Sequence, residues 1–273
     1  MLSKIKQKIK TRFTKIEYRV EKIPVISGQQ LQDKVALITG GSNGIGYGIA
    51  QSFVHNGAKV IITGRDENKL KKVCSNLGKN CRYLVWDASN IKIIQENLEK
   101  AIDIFGNIDI LVNNAGYHGN QDFFSISEND FDDTFDVNIK NVFFMCQAIG
   151  KYFIDNRIQG HILNISSASS VKPAWSPYEI SKWACSGFTK GLARELIPYG
   201  IVVNGIAPGP TATSMSHWKE GDSLNWPSLP KGRLGLVEEI GNLAVHLCSD
   251  AGNFIIGEIV FCDGGSGTIT FNK

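Results

Sequence analysis

Seven short apolar, β-branched runs recur along the chain, and longer segments with helical periodicity separate them. Runs of this length and composition are typical of strands buried on both faces. A chain that alternates strands and helices in this way is expected to form one parallel sheet covered by helices on both sides, a doubly wound α/β domain. The predicted strands span residues 34–39, 59–63, 81–86, 108–113, 161–165, 201–206 and 258–262.

Composition agrees with a folded globular domain and excludes several other classes. Of 273 residues, 42% are hydrophobic and 20% are charged, which is typical of globular proteins. No apolar run approaches the roughly 18 residues of a membrane span. The six cysteines are scattered without the paired spacing of metal ligands, so we expect reduced thiols, no metal site and a cytoplasmic protein.

The positive charge is concentrated in a predicted basic extension, residues 1–32, that precedes the domain of residues 33–273. The extension carries eight Lys or Arg and two Glu, so its net charge is +6 and the remaining chain has −3; no nucleic-acid partner is expected. Residues 1–23 predict an amphipathic helix that either contacts an anionic membrane surface, making the protein peripheral to a membrane, or packs on the protein itself or a second subunit. Its apolar stripe consists of Ile5, Ile9, Phe13, Ile16 and Val20.

The turn after the first predicted strand reads TGGSNGIG, residues 39–46, and opens a helix. Glycines in this position let backbone N–H groups approach a pyrophosphate, and the helix N-terminus adds positive potential. The sequence therefore predicts a nucleotide-binding turn. Its candidate contacts are Gly40, Ser42, Asn43, Gly44, Ile45 and Gly46.

The second strand ends in TGRDENKL, where Gly64 occupies the position of the acidic residue that would bind a ribose 2′-hydroxyl. Arg65 follows and can pair with a 2′-phosphate, so NADP(H) is favoured over NAD(H). Asp66 is expected to cap the next helix. After the third strand, Asp87, beside Ala88, could accept a hydrogen bond from an adenine amino group or cap the following helix.

Small and polar residues also follow the later strands, where the cofactor would cross the sheet. After the sixth strand, a glycine-proline turn could present Thr211 and Thr213 to the nicotinamide amide. Asn138 lies in a helical segment that is otherwise largely apolar, and a buried asparagine needs partners. The remaining candidate cofactor contacts are Asn114, Ala115, Gly116, Pro208 and Gly209.

The segment SPYEISKW, residues 176–183, predicts the start of a helix that carries a proton donor. Ser176 fits the N-cap, with proline at the first helical position and Glu179 completing a capping box. Tyr178 and Lys182 are four residues apart and therefore neighbours on the helix. The lysine charge favours the ionised phenol, which makes Tyr178 a candidate acid and base near neutral pH.

From about Leu31 to Gly265 the chain resembles the short-chain dehydrogenase/reductase family. TGxxxGxG, NNAG, an inner Asn, a Ser, YxxxK and PGxxxT occur in the family's order. The resemblance implies a Rossmann-type, single-domain fold with a seven-stranded parallel sheet. It also implies an NAD(P)-dependent oxidoreductase that acts on a small carbonyl or alcohol substrate, and a homo-oligomer, either a tetramer or a dimer.

By the same resemblance, Tyr178 is the catalytic acid/base and Lys182 also holds the nicotinamide ribose. Ser167 would polarise the substrate oxygen, and Asn138 would hold a water that links Lys182 to bulk solvent. The 11 residues from Ser167 to Tyr178 are fewer than usual in the family, which leaves Ser166 as an alternative. Asn43 stands where many NADP-preferring members carry a basic residue.

Residues 211–236 are expected to form a substrate lid, and the substrate could be a 3-oxoacyl thioester, a sugar or a polyol. His118, Trp175, His217, Trp218 and Trp226 are further candidates for substrate contact. Two other functions are considered, a non-catalytic NADP-binding regulator and a membrane-surface or scaffold protein that uses the N-terminal helix. The complete set of four catalytic residue types argues against the regulator.

Overall fold

A computed structural model describes residues 28–269 and contains one sheet of seven parallel strands. The strands are β1 (Val35–Ile38), β2 (Lys59–Gly64), β3 (Cys81–Val85), β4 (Ile110–Asn113), β5 (His161–Ile165), β6 (Val202–Pro208) and β7 (Ile259–Cys262). Their order across the sheet is β3-β2-β1-β4-β5-β6-β7. The predicted doubly wound sheet of seven strands is therefore confirmed.

The observed strand boundaries differ from the predicted ones by one or two residues. β6 continues to Pro208, where the sequence predicted an end at residue 206, and Pro208 is in register with Cys262 of β7. A proline is tolerated there because it is the last residue of the strand and removes no interior ladder bond. β4 begins at Ile110, two residues later than predicted, and the carboxylate of the preceding Asp109 accepts a hydrogen bond from the Val35 N–H (2.8 Å).

Within residues 28–269, seven α-helices connect the strands. They are α1 (Gly44–His55), α2 (Glu67–Leu77), α3 (Ile94–Phe105), α4 (Glu128–Phe135), α5 (Asn141–Asn156), α6 (Pro177–Leu196) and α7 (Val237–Leu247). A π-helical turn, Asp136–Lys140, joins α4 to α5. Helix α6 begins as predicted: Ser176 is its N-cap, Pro177 is its first residue, and Glu179 completes the capping box.

The core lies on both faces of the sheet, and alternate residues of each strand belong to opposite faces. In β1, Ala36 and Ile38 pack with helices α1, α2 and α7, whereas Val35 and Leu37 pack with α3, α5 and α6. Burial on both sides explains why the strand sequences are apolar throughout rather than alternating with polar residues.

The strand order reverses direction between β1 and β4, which places a crevice above the carboxyl ends of these two strands. The crevice opens because α1, which follows β1, covers one face of the sheet, and α5, which follows β4, covers the other. Within residues 28–269, no helix is both long and apolar enough to cross a membrane. The predicted helix of residues 1–23 lies outside the described residues.

Candidate active site

Two adjoining hollows occupy the crevice at the carboxyl ends of the strands. The inner hollow, about 480 Å³, reaches Ser167, Tyr178 and Lys182, and the outer hollow, about 470 Å³, reaches Arg65 and Asp87. They share the lining residues Gly40, Asn43, Ala115 and Gly116. A long ligand could therefore lie across the glycine-rich turn with one end in each hollow.

The first turn of α6 places Tyr178 and Lys182 together on the wall of the inner hollow. The Lys182 Nζ atom lies 5.6 Å from the centroid of the Tyr178 ring. Lys182 is only 5% exposed, and its ammonium donates to the Ile165 carbonyl at the end of β5 (2.9 Å). Because an ammonium carries three donors, this bond leaves two for a ligand or water.

The two serines that follow β5 have different hydrogen-bond partners, although both line the inner hollow. The Ser166 hydroxyl donates to the Lys182 carbonyl (3.1 Å) and pairs with the Ser186 hydroxyl (2.7 Å), so it is engaged with helix α6. The Ser167 hydroxyl accepts from the Ser169 N–H (3.1 Å), which leaves its own proton available. This difference favours Ser167 over Ser166 as the donor to a bound substrate.

Asn138 lies in the π-helical turn, 1% exposed, and has the partners that its burial requires. Its amide nitrogen donates to the Tyr117 carbonyl (2.9 Å) and to the Ser181 hydroxyl (3.0 Å), and its oxygen accepts from the Tyr117 N–H (2.8 Å). Ser181 in turn donates to the Tyr178 carbonyl (2.6 Å). Asn138 therefore connects the segment after β4 to the first turn of α6.

Gly116 separates Asn138 from Lys182. A β-carbon at this glycine would lie 3.6 Å from Asn138 Oδ1 and 3.9 Å from Lys182 Nζ. Both polar atoms therefore border the same small space behind the inner hollow.

The glycine-rich turn is held against the NNAG segment by hydrogen bonds of Thr39 and Asn114. The Thr39 hydroxyl accepts from the N–H groups of Asn114 and Ala115 (both 3.0 Å), and the Asn114 side chain donates to the Thr39 and Gly40 carbonyls (both 3.0 Å). Thr39 was not among the predicted site residues. Its role depends on residues 75 positions away, which the local pattern did not indicate.

Gly46 differs from the other predicted residues of this turn because it lines neither hollow. A β-carbon there would collide with the Gly40 carbonyl and the Asn114 side chain. Gly46 thus allows α1 to pack closely under the turn. It was predicted as a cofactor contact, but the structure places it outside both hollows. The remaining turn residues, Gly40, Ser42, Asn43, Gly44 and Ile45, line at least one hollow.

The outer hollow brings together Ser42, Arg65, Asp87 and Ala88, four of the predicted cofactor contacts, and is also lined by Gly64. Arg65 is exposed at its rim. Asp87 accepts hydrogen bonds from the Ser89 N–H (3.0 Å) and hydroxyl (2.9 Å). The alternative that Asp87 caps the next helix is wrong, because the short 3₁₀ turn that leads into α3 is capped by Asn90.

Asp66 caps α2 as predicted, since its carboxylate accepts a hydrogen bond from the Lys69 N–H (3.1 Å) at the start of this helix. This hydrogen bond lowers the pKa of Asp66. Lys69 also lines the outer hollow and pairs with Asp66 (3.6 Å), so it adds a second cation near Arg65.

The segment after β6 forms another wall of the inner hollow, with Pro208, Gly209, Thr211 and Thr213 among its lining residues. The Thr211 hydroxyl donates to the Gly209 carbonyl (2.9 Å), which fixes the turn internally. The Thr213 methyl group approaches the turn at Gly44, where a β-carbon would lie 3.4 Å from it.

The segment predicted as a lid, residues 211–236, is anchored at its two ends. Thr211 forms a bridge with Gly235, and Arg233 pairs with Glu239 of α7 (2.7 Å). Ser214, Met215 and Ser216 line the inner hollow. Four predicted candidates for substrate contact line neither hollow. Three belong to this segment, and the fourth lies in the loop between Ser167 and Tyr178: His217, Trp218, Trp226 and Trp175.

Two further residues of the inner hollow are His118, which the sequence predicted as a candidate for substrate contact, and Lys172, which it did not predict. His118 packs against Tyr178 with ring centroids 4.6 Å apart, and burial lowers the pKa of His118, which favours the neutral ring. Lys172 lines the hollow from the shortened loop between Ser167 and Tyr178. No periodicity or motif in the sequence identifies this lysine as a site residue.

The fold and the site together define a nucleotide-dependent oxidoreductase of the doubly wound α/β class. A sequence model described as "short chain dehydrogenase" matches residues 34–223. A gluconate 5-dehydrogenase of Gluconobacter oxydans (strain 621H) is 35% identical over 239 residues, which cover 84% of this chain and 93% of that protein. The chain belongs to the short-chain dehydrogenase/reductase family.

Two other relatives agree with this assignment. A 3-oxoacyl-(acyl-carrier-protein) reductase of Salmonella typhimurium (strain LT2) is 34% identical over 238 residues, covering 86% of this chain and 97% of that protein. The crystal structure of a 3-ketoacyl-(acyl-carrier-protein) reductase from Brucella melitensis, complexed with NADH, superposes with a TM-score of 0.79 at 31% identity. That match covers 87% of this chain and 99% of the Brucella chain.

Proposed function

We propose that the protein transfers a hydride between NADP(H) and a carbonyl or secondary alcohol substrate, with Tyr178 as the general acid/base. The observation that supports this most directly is the convergence of Tyr178, Lys182 and Ser167 on one hollow that continues into a second, nucleotide-sized one. A non-catalytic regulator would not require this convergence.

The residues of the cleft fit a dinucleotide. A β-carbon at Gly40 would lie 2.9 Å from the Ala115 Cα, so only glycine leaves the turn open at this point. Gly44 begins α1, whose free N–H groups favour a pyrophosphate. A bound NADP(H) supplies or accepts the hydride at its nicotinamide ring.

The side chains of the inner hollow supply the accompanying proton chemistry. In the reductive direction Tyr178 gives its proton to the substrate oxygen, and Ser167 donates a hydrogen bond to the same oxygen as negative charge develops there. Lys182 holds the nicotinamide ribose, and Asn138 holds a water that connects Lys182 to solvent. The oxidative direction uses the same groups in reverse.

Arg65 supports NADP(H) over NAD(H). It is exposed at the rim of the outer hollow and forms no ion pair with any residue in the described range 28–269. The neighbouring Gly64 offers no carboxylate to repel a 2′-phosphate, and the Ser42 hydroxyl lies close by, 3.4 Å from where a Gly64 β-carbon would be. A phosphate at this site would gain charge-assisted hydrogen bonds from Arg65.

For the substrate we propose a polyhydroxy acid, the chemistry named in the Gluconobacter relative, with Lys172 binding its carboxylate. Lys172 lines the inner hollow, and no residue between 28 and 269 forms an ion pair with it. Its backbone is fixed, because its N–H donates to the Ser169 carbonyl (3.2 Å) and its carbonyl accepts from the Trp183 indole (2.8 Å). Other side chains that line the same hollow carry hydroxyl or imidazole groups: His118, Ser169, Ser214 and Ser216.

The Tyr178→Phe variant tests the proposed chemistry. Removal of the hydroxyl should lower kcat by about 10²–10⁴-fold, the usual contribution of a general acid, while the affinity for NADPH measured by fluorescence titration stays unchanged. Turnover retained at the wild-type rate would disprove the role of Tyr178.

The Lys172→Met variant tests the proposed substrate class. A charge-assisted hydrogen bond contributes about 1.5–3 kcal/mol, so KM for gluconate should rise by about 10–100-fold. The uncharged polyol sorbitol and a 3-oxoacyl thioester serve as comparison substrates. Wild-type preference for either of them over gluconate, or an unchanged KM in the variant, would contradict the proposal.

We also propose that the protein acts in the cytoplasm as a homo-oligomer, a tetramer or a dimer. Large apolar side chains are exposed on two neighbouring helices, Phe143 and Phe144 on α5 and Trp183 on α6, and a second copy would cover them. Light scattering of the full chain measures the mass directly.

Membrane-surface contact by residues 1–23 is a separate proposal, tested by co-sedimentation of the full chain with anionic and with neutral vesicles.

A further inference from the structure

Two cysteines lie side by side at the edge of the sheet, although no spacing in the sequence pairs them. Cys74 is in the last turn of α2 and Cys81 is the first residue of β3, and their Sγ atoms are 2.9 Å apart. A disulfide bond is about 2.05 Å long, so the two sulfurs need to approach by less than about 1 Å to form one. The intervening residues turn back through a short 3₁₀ helix, Gly78–Asn80.

The two thiols have different environments. Cys74 is half-buried, whereas Cys81 is buried. The hydrogen bond between them lowers the pKa of Cys74 and raises the pKa of Cys81. Burial also raises the pKa of Cys81. Cys74 is therefore the better nucleophile of the pair, since thiolates and not thiols react with oxidants.

A fixed positive charge lies beside the pair and lowers the pKa of both thiols. The Arg82 guanidinium donates to the carbonyls of Lys79 (3.0 Å) and Cys81 (2.8 Å), which hold it beside the pair. It also lies over the Phe105 ring, 5.8 Å from the centroid. Its charge lowers the pKa of Cys74 further.

The other cysteines do not share these properties. Cys146, Cys185 and Cys248 are buried, and burial raises the pKa of each thiol. Cys262 is half-buried like Cys74, but burial and the charges of Glu239 and Asp263 raise its pKa. Cys262 therefore provides a matched control for exposure.

We propose that Cys74 and Cys81 form a peroxide-sensitive dithiol that closes to a disulfide and reopens with a thiol reductant. The Cys74 thiolate attacks hydrogen peroxide, the O–O bond breaks, and water leaves after protonation. The resulting sulfenic acid is attacked by Cys81, the S–S bond forms, the S–O bond breaks, and a second water leaves. The two thiols are oxidised by two electrons and the peroxide is reduced by two.

Peptide mapping of the full chain after peroxide treatment tests the pair directly. Trypsin cleaves after Lys72, Lys79 and Arg82, so the disulfide would join the peptide of residues 73–79 to that of residues 80–82. We expect this linked peptide in the monomer band of a non-reducing gel, a loss of two of the six titratable thiols, and recovery of both with dithiothreitol.

Single variants separate the pair from general oxidation. Cys262→Ser should keep the linked peptide, and Cys74→Ser should lose it without trapping of Cys81 by dimedone. Cys81→Ser should lose the linked peptide and leave Cys74 as a dimedone-reactive sulfenic acid. Absence of the linked peptide in the wild type, or faster oxidation of Cys262 than of Cys74, would overturn the proposal.

Discussion

Replacement of Asn138 by alanine should destabilise the protein much more than the same replacement at Asn141. Both asparagines are 1% exposed, and both lie in the continuous helical segment formed by α4, the π-helical turn and α5. Asn138 makes three hydrogen bonds, with Tyr117 and Ser181, whereas the Asn141 amide nitrogen has no partner within the described residues. The pair therefore differs in hydrogen bonding and little in burial.

The magnitude follows from the number of bonds. At about 1 kcal/mol for each net hydrogen bond, Asn138→Ala should cost about 3 kcal/mol. Asn141→Ala removes a buried donor that is not satisfied, which offsets the lost packing, so its cost should stay below about 1 kcal/mol. For a chain near this size, the difference corresponds to a Tm about 4–8 °C lower for the Asn138 variant.

Urea unfolding at one protein concentration is the appropriate assay, with the m-value checked for each variant. Concentration must be fixed because dissociation of an oligomer would contribute to the midpoint. Asn138→Asp is a useful third variant, since a carboxylate cannot make the two bonds that the amide nitrogen donates, and it should be at least as unstable as Asn138→Ala. Equal losses at positions 138 and 141 would show that these hydrogen bonds do not stabilise the fold.

Two further predictions concern charged residues. Arg65→Ala should weaken NADPH binding by about 10–100-fold and leave NADH binding nearly unchanged in fluorescence titrations, because only NADPH carries the 2′-phosphate; equal losses for both cofactors would refute the assignment. The Arg233–Glu239 pair should make stability depend on pH in the acid range. The hydrogen bond from Arg233 lowers the pKa of Glu239 from 4.5 to about 2, so its contribution is complete above pH 4.5 and is lost as pH falls through 2. The difference in Tm between wild type and Glu239→Gln should therefore shrink on acidification, and a constant difference between about pH 6 and pH 2 would contradict this.

Features that depend on neighbouring residues were predictable from the sequence, and the structure agrees with them closely. Ser176, Pro177 and Glu179 determine the start of α6 by local hydrogen bonding and a fixed backbone angle, so the predicted first residue is correct. Asp66 at the start of α2 is a second case. The parallel sheet was also predictable. Strands buried on both faces are apolar along their whole length, so each strand is visible in the sequence as a continuous apolar run.

Features that depend on distant residues were not predictable in the same way. Burial indicated that Asn138 needs partners, but Tyr117 and Ser181 are 21 and 43 positions away and no spacing rule identifies them. The proximity of Cys74 and Cys81 depends on how α2 turns back into β3. The capping interpretation of Asp87 was wrong because Asn90, three residues later, performs that role. Each of these depends on the folded path of the chain.

The π-helical turn at Asp136–Lys140 has a consequence for how this chain can vary. Such a turn holds one residue more than a regular helix, so deletion of one residue would convert the segment from Glu128 to Asn156 into an uninterrupted α-helix. The backbone would become more regular and the flanking helices would keep their register, but Asn138, which lies inside the turn, would leave the position from which it contacts Tyr117 and Ser181. A shortened chain would thus gain a regular helix and lose the three hydrogen bonds of Asn138, so greater backbone regularity at this turn would come with a weaker connection between the segment after β4 and helix α6.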